Sequence, residues 1–506
     1  MNDQAGVAQL GAQTTCNRQV VGSSPTTGSI VMSARTSASE GVTRGIGSSA
    51  DAHDEKVPGD GSRPHMIPTV RHRPRGAPWS LLGGVGLLVI TFATFGLTDV
   101  VDALAIGAQV VFVVFFLRHV SFAISAFQSV HEDLDAPVLD TGYRPSVTVL
   151  VACKNEESVI DAMLDSLLRL DYPSDHLQVL VVDDASTDGT GTMLDERARS
   201  DRRLDIVHRE AGAGGGKPGA LNEALGQIAG EIVVVFDADH SPRPNVLRHL
   251  VRHFEDPGVG AAQGRCEVRN ASDSPLTRLV AIDYLAGYLV NEYGRQSVFR
   301  LPAYGGANCA VRTEMLRKFG GWNTSSVTED TDLTLRLVLA GKRVRFDVTA
   351  VDEEEGVVNL RRYWTQRYRW ARGHQRAWRD YRAAVWRSTV LSPLDKVETT
   401  LFLLAFHLPI VSAIGLLILG AWLAGVVHPI VPFDLSVFWM LLFIGPLLEL
   451  GGGLLIRQAD RHWALSLMYF LPLFVVSALL CTKAWIDGLL GRPYTWVKTR
   501  RAGDSG

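Results

Sequence analysis

The sequence predicts an α/β domain built on an open parallel sheet and inserted between two groups of membrane-spanning helices. Three observations carry this. Between about 140 and 390, short apolar runs alternate with helical patterns, which is how a parallel sheet with crossover helices reads. Three of those runs end in clusters of polar and acidic residues. Five long apolar stretches flank the polar block, two before it and three after.

Length and charge remove several function classes. The chain has 506 residues, with 50 Lys plus Arg against 53 Asp plus Glu and a net charge of −3. Bulk electrostatic binding to nucleic acid is excluded, and so is a mini-protein that needs staples to fold. With 46% apolar and 20% charged residues the averages are those of an ordinary globular protein. Its mean hydropathy of +0.10 agrees. Cys16, Cys153, Cys266, Cys309 and Cys481 show no C-x-x-C spacing, so neither a zinc knuckle nor a disulfide framework is predicted.

Residues 1–77 are rich in Ser, Thr, Gly and Pro without periodicity, and they read as disordered. Residues 7–28 resemble a translated transfer-RNA gene, which points to Met32 or Met66 as the start; residues 1–30 contain no apolar core for a secretory signal. Residues 78–130 are expected to hold two transmembrane helices: 79–97 is uncharged, and a second apolar run lies between Asp102 and Arg118 and continues to about Phe127. Three apolar segments follow at 399–433, 435–456 and 463–482, within a C-terminal membrane region of 396–490; Glu449 is the one acid in the middle segment. Arg71, Arg73 and Arg75 precede the first span, whereas Asp99 and Asp102 follow it, placing the block from 140 to 360 on the cytoplasmic side. The basic tail at 491–506 also reads as cytoplasmic, which conflicts with three late crossings; one late segment is re-entrant or interfacial, or the 399–433 run crosses more than once. A charge inside a span either lines a pathway or snorkels to the interface, and Glu449 is open to both readings.

Within the block, the run 146–152 leads into Lys154, Asn155, Glu156 and Glu157; 178–182 leads into Asp183, Asp184 and Ser186; and 231–236 leads into Asp237, Ala238 and Asp239. Open α/β sheets bind ligands at the carboxyl ends of their strands, so the three clusters share a rim suited to a nucleotide. Asp237 and Asp239 can present hard oxygens to Mg²⁺ or Mn²⁺, or can simply cap a turn. Thr328, Glu329 and Asp330 precede an apolar helix that stops at Gly341. There Asp330 either caps the helix or serves as a general base. The glycine-rich stretch before Lys217 does not have the P-loop spacing, and Pro218 stands where Ser or Thr would be required. Lys217 is presented to a phosphate or lies in a solvated loop.

The segment 361–382 carries eight arginines, three tryptophans and three tyrosines, the composition of a helix lying in a membrane interface. Interfacial amphipathic helices are expected over 361–395. Gln366, Arg369, Trp370 and Gly373 fall at i, i+3, i+4 and i+7, on one helix face.

Taken in order, Asn155-Glu156, Asp183-Asp184, 217–222 (Lys-Pro-Gly-Ala-Leu-Asn), Asp237-Ala238-Asp239, Thr328-Glu329-Asp330 and Gln366-x-x-Arg369-Trp370 resemble the membrane-integrated family-2 glycosyltransferases. The layout is most similar to the poly-N-acetylglucosamine synthases, with cellulose, chitin and hyaluronan synthases also similar. The resemblance covers about 140–390 and implies a GT-A (Rossmann-like) fold, a UDP-sugar donor and inversion at the anomeric carbon. It further implies that Asp184, with Asp183, holds the uracil; that Asn155, Glu156, Lys217, Asp237, Gln366, Arg369 and Trp370 bind donor or acceptor; that Asp239 and Asp237 hold Mg²⁺ or Mn²⁺; and that Asp330, beside Glu329, is the base. Ala152, and Glu354 to Gly356, depart from the family pattern, which has Pro at both places. The function expected is a processive, export-coupled synthase of a β-linked glycan in the cell membrane. It would be multi-pass, contact membrane lipids and use an accessory export subunit. The alternatives are transfer of one sugar to a lipid acceptor and an inactive nucleotide-sugar-binding scaffold.

Overall fold

The computed structural model describes residues 79–135, 141–427 and 435–493. The expected disordered leader (1–77) lies outside the described residues, as does the basic tail beyond residue 493.

Eight strands form one sheet: β1 (Val147–Cys153), β2 (Leu177–Asp183), β3 (Leu204–His208), β4 (Ile232–Asp237), β5 (Ser241–Pro242), β6 (Val259–Val268), β7 (Cys309–Arg312) and β8 (Arg343–Glu354). Their order is β3-β2-β1-β4-β7-β6-β8-β5. The β3-β2-β1-β4 half is parallel, as expected. The other half is mixed: β7 runs antiparallel to β4 and β6, and β5 antiparallel to β8, while β6 and β8 pair in parallel. The parallel expectation fails at β7, a four-residue strand that follows the helical stretch 275–299 and a glycine loop and enters the sheet between β4 and β6 in the opposite direction.

β1, β2 and β4 are largely Val, Ile and Leu because both faces of the sheet are covered there. Val149, Val151, Val179, Val181, Val234 and Phe236 join a core with the helix Ile160–Leu168 on one face. Their alternates Leu150, Leu180, Val182, Val233 and Val235 join Leu333 and Leu337 on the other. Each such side chain, fully buried, contributes roughly 1.5–3 kcal/mol.

Among the described residues, three helices are long and apolar enough to span a membrane: Thr98–Leu134, Pro393–Leu423 and Arg461–Leu489; Phe443–Ile456 is a shorter apolar helix. Their outward faces are apolar, with Leu417 and Met468 73% and 70% exposed. Between the two expected spans the chain breaks at Gly96, where two helices within Trp79–Asp135 join across a kink; its φ of 78° and ψ of 164° leave the helical region without strain for glycine. Asp99 and Asp102 lie just past the kink, at the start of the second helix. The late span begins earlier than its uncharged run, at Pro393, because Ser392 and Asp395 form a capping box around that proline. Residues 428–434 of the expected 399–433 run lie outside the described residues.

The arginine-rich segment is one helix, Leu360–Arg387, capped by Asn359. It is pinned to the last apolar helix by Tyr368 Oη donating to Asp487 (2.6 Å) and Gln375 Nε2 donating to the Cys481 carbonyl (3.1 Å).

Candidate active site

A cavity of about 710 Å³ opens at the carboxyl ends of β1, β2 and β4, where it is lined by Lys154, Asp184 and Asp239. The sheet delivers these groups because each strand ends where its hydrogen-bonded ladder ends, leaving the next residues free to turn inward. Asp184 lines the cavity and pairs with Arg209. Asp183 is the last residue of β2 and sits beneath it, accepting from the Ser186 N–H (3.0 Å) and facing His208 Nδ1 (3.0 Å). The two expected uracil-binding acids are thus separated. Glu156 lines the cavity, while its backbone N–H donates to Thr190 Oγ1 (2.8 Å). Asn155 braces the loop after β2: in the left-handed region at φ 53°, its Oδ1 accepts from the Thr187 N–H (2.7 Å).

Asp237 closes β4, and Ala238 and Asp239 turn along the cavity wall. Gly212, Gly214, Gly215 and Gly216 all have positive φ, which folds the loop back so that the helix Gly216–Glu223 opens with Lys217 inside the cavity. The Lys217 ammonium donates to Asp237 and to the Gly306 carbonyl (2.7 Å). Burial opposes its charge, but Asp237 and Glu329 outweigh burial and hold its pKa above the ordinary lysine value. Lys217 is therefore a buried part of the site, not a solvated loop residue.

Glu329 and Asp330 open the helix Glu329–Leu339, where the backbone N–H groups and the helix dipole favour negative charge. The Thr331 N–H donates to Asp330 Oδ1 at 2.6 Å. Burial pushes the Glu329 carboxyl up to about 7, with Asp330 adding to the rise and Lys217 opposing it. Burial also raises Asp330, against the Thr331 hydrogen bond and the charge of Arg369. Gly306 leaves room here: a Cβ on it would lie 3.4 Å from Asp330 Oδ2 and 3.7 Å from Lys217 Nζ. The loop is held by Gln263, whose Oε1 accepts from the Gly305 N–H (2.5 Å).

Gln366, Arg369 and Trp370 line the cavity from the arginine-rich helix, as their spacing predicts. Gly373 lies against Thr328 and sets a close approach between that helix and the one bearing the acids. Gln366 Oε1 and Arg369 Nε are buried without a protein hydrogen-bond partner. The Arg367 guanidinium pairs with Asp283 and lies 4.3 Å from the Trp370 ring centroid.

Sequence reasoning missed two groups and left a third, Glu449, open between two readings. His240, Cys266 and Asp352 are buried behind the Asp237–Asp239 turn, with their ligand-capable atoms within 4.8 Å of one another. His240 Nδ1 meets Asp352, and Nε2 faces Glu354 (3.1 Å). Burial disfavours the imidazolium, but these carboxylates outweigh it and raise its pKa well above the ordinary histidine value. The adjacency Asp239-His240 was the available signal. Second, the helix Pro275–Leu285 continues into two π-helical segments, Ala286–Glu292 and Arg295–Phe299. The wider turn puts Asp283, Gly287 and Asn291, with Tyr284, Tyr288 and Glu292, on the cavity. Third, Glu449 does not snorkel: it is buried, facing His119 Nδ1 (2.5 Å) and accepting from Asn291 Nδ2 (3.2 Å).

This arrangement matches known proteins. The model of the glycosyltransferase-like family 2 matches residues 145–373. A probable glycosyltransferase of Bacillus subtilis, YdaM, is 31% identical over 361 residues, covering 70% of this chain and 84% of that protein. The chain belongs to glycosyltransferase family 2. It is a glycosyltransferase with the GT-A fold. Within family 2, a β-monoglucosyldiacylglycerol synthase of Synechocystis sp. is 38% identical over 299 residues, 57% of this chain and 61% of that protein, so the match stops short of two thirds of that relative. A poly-β-1,6-N-acetyl-D-glucosamine synthase of Staphylococcus aureus is 26% identical over 247 residues, 48% of this chain and 58% of that protein. The solved structure of a Pyrobaculum calidifontis mannosyltransferase in complex with GDP-Man and Mn²⁺ has a TM-score of 0.51 and 24% identity, covering 76% of this chain and all of that one, and it shares the fold.

Proposed function

We propose that this family-2 glycosyltransferase moves a single sugar from a UDP-sugar to the hydroxyl of a membrane lipid, with inversion at the anomeric carbon. The observation that carries this reading is the reach of the cavity. It runs from Asp184 and Asp239 at the strand ends to Arg118, Phe402 and Phe406 on two helices long enough to span a membrane. An acceptor arriving from the bilayer would meet the donor between them. The Synechocystis relative, a glycolipid synthase, supports a lipid acceptor at higher identity than the S. aureus relative supports a polymer. The processive reading therefore gives way to its alternative. The three apolar helices and the basic residues at 71–75 support a multi-pass protein with this domain on the cytoplasmic side, where UDP-sugars are available.

The residues take roles by position. Asp184 is placed for the nucleobase; Gln366 and Trp370 for the sugar and acceptor; Arg369, with its free Nε, for the diphosphate. Asp237 and Asp239 fit Mg²⁺ or Mn²⁺: both are hard oxygen donors on the cavity wall, and Asp237 already holds the Lys217 ammonium where positive charge is favoured. A bound ion would neutralise charge on the departing diphosphate. The His240, Cys266 and Asp352 cluster is satisfied internally and braces that turn from behind. Asp330 accepts the acceptor hydroxyl proton as the oxygen bonds to the anomeric carbon. The bond from that carbon to the diphosphate oxygen breaks, and its electron pair leaves on UDP, facing Arg369.

The test offers labelled UDP-glucose and UDP-N-acetylglucosamine, with Mg²⁺ or Mn²⁺, to the purified protein in lipid nanodiscs. A discrete one-sugar lipid is expected; a ladder of polymer would restore the processive synthase, and UDP binding without transfer would restore the inactive scaffold. Asp330→Asn should lose on the order of 10²–10⁴ in rate while still binding UDP.

A further inference from the structure

We propose that the last apolar helical run, Arg461–Leu489, does not cross the membrane: it lies in the leaflet on the side of the glycosyltransferase domain, with its exposed apolar face among lipid acyl chains. At 29 residues the run is long enough for a crossing, so length leaves both arrangements open and its contacts decide between them. The proposal holds whichever acceptor the enzyme uses.

Both ends of the run touch the domain side. At its start, Asp460 caps the first turn by accepting from the N–H groups of His462 and Trp463 (2.8 and 3.2 Å). Trp463 and Leu467 pack against Leu279 and Ile282 of the helix Pro275–Leu285, and Arg457, just before, donates to Glu267 of β6 (3.3 Å). At its end, Arg372 donates to the Ala484 carbonyl and Arg379 to the Gly488 carbonyl, both at 3.0 Å. With the Tyr368 and Gln375 bonds, these fasten residues 481–488 along the arginine-rich helix Leu360–Arg387. Arg361, Arg382 and Arg387 of that helix are exposed, which a hydrocarbon core does not admit, so it stays at the water boundary and holds the end of the last run there.

The middle of the run dips deeper but stops short. Phe470 and Phe474 meet Phe443 with ring centroids 6.3 and 5.6 Å away, and Phe474 joins Ala108, Phe112, Leu408 and Val411. The far end of the spanning helices is marked by Val101, Ile418 and Val427, a cluster that includes no part of Arg461–Leu489 among the described residues. At 1.5 Å per residue, the helix between Phe112 and Val101, or between Leu408 and Ile418, leaves about 15 Å of bilayer that the last run does not enter.

The crossings that follow the domain are then two. Pro393–Leu423 leaves it, and Leu435–Ile456 returns, since Ile456 packs with Phe346 and Val348 of β8. An even number brings Arg492, at the start of the basic tail, back to the domain side, where positive charge beside a span belongs; three crossings would not. The face of the run turned away from the protein fits one partner. Leu465, Met468, Leu471, Val475, Leu479 and Ile486 are exposed and recur at helical spacing. Tyr469 and Trp485, exposed near either end of Phe470–Leu489, are the aromatic types that favour the headgroup level. Leu480 and Cys481 pack on Ile410 of the spanning helix, so this face continues that helix's lipid-facing surface.

The experiment uses the full chain in native membranes with Cys16→Ser, since Cys153, Cys266, Cys309 and Cys481 are buried. Single cysteines are added and probed with a membrane-impermeant maleimide in intact cells and in inverted vesicles. Arg199→Cys marks the domain side and Val426→Cys the far end of Pro393–Leu423; both positions are exposed. Arg461→Cys and Arg492→Cys should label in the same preparation as Arg199→Cys and not with Val426→Cys. Either one labelling with Val426→Cys overturns the proposal. Nitroxides attached at Met468→Cys and Ile486→Cys give a second reading. A crossing helix would separate them in depth by about 27 Å, whereas the leaflet helix keeps both on the domain side of the bilayer midplane. Nitroxides found in opposite leaflets overturn it as well.

Discussion

The Lys217 ammonium joins Asp237, at the end of β4, to the Gly306 carbonyl beside Asp330. One cation thereby serves both the donor end and the acidic pair. Its charge lowers the carboxyl pKa values of Glu329 and Asp330 from where burial alone would set them. Lys217→Met should therefore move the acid limb of the pH–rate profile upward. A shift of about one unit costs several-fold in rate at pH 7 and almost nothing at pH 9. A loss of equal size at every pH would mean that Lys217 acts only by holding the donor.

In the wild type, activity should fall as pH drops through about 7, where the Glu329 carboxyl takes its proton, and not near 4 where free carboxylates titrate. Glu329→Gln should remove that limb. The stability change has the opposite sense. A carboxyl held above its ordinary 4.5 keeps its proton in the folded state and loses it in the unfolded one, so it lowers stability as pH rises from about 4.5 to about 7. Glu329→Gln is thus expected to raise the melting temperature at pH 8 relative to wild type, and to leave it unchanged at pH 4. Melting curves at the two pH values decide this.

Gly373 gives a purely steric prediction. A Cβ there would lie 2.7 Å from the Thr328 Cβ, and closer still to its Cγ2 and Oγ1. The methyl of Gly373→Ala cannot be absorbed by a flexible tip, so the helix carrying Gln366, Arg369 and Trp370 must move away from Glu329 and Asp330. Overpacking of this kind costs about 1–3 kcal/mol, and a displacement of an ångström at reacting groups costs on the order of 10²-fold in rate. Paired melting and kinetic measurements on Gly373→Ala should show a rate loss well beyond what the stability loss accounts for. Thr328→Ala should partly restore both.

The sequence made the parallel half of the sheet legible because each strand there is an unbroken apolar run ending in polar residues. It also singled out Asp184, Asp239, Asp330, Gln366, Arg369 and Trp370, which line one cavity in the structure, since strand ends and helical spacing are local properties. What it missed was set by distant partners. That Asp183 lies under Asp184 depends on Ser186 and His208 drawing it away. Cys266 and Asp352 reach His240 only because β6 and β8 pair in parallel beside the Asp237 turn. The π-helical turns at 286–299 and the antiparallel β7 have no strong local period, and the break at Gly96 looks in sequence like any glycine in an apolar run. Glu449 was visible as an anomaly, but His119 and Asn291, which bury it, come from far earlier in the chain.

Glu398 carries the last prediction, since it joins the helix Pro393–Leu423 to Arg118 in Thr98–Leu134 and to Arg295 in the glycosyltransferase domain. It is fully buried, and both arginines depend on it. Removing one member of such a network leaves charge uncompensated where water cannot reach, so Glu398→Ala should cost about 3–5 kcal/mol. Replacing all three together, Arg118→Met, Arg295→Met and Glu398→Leu, removes the charges with their partner and should recover most of that stability. Melting temperatures in detergent of the wild type, Glu398→Ala and the triple variant decide this: a triple variant no more stable than Glu398→Ala would show that the network's worth lies in more than compensated charge.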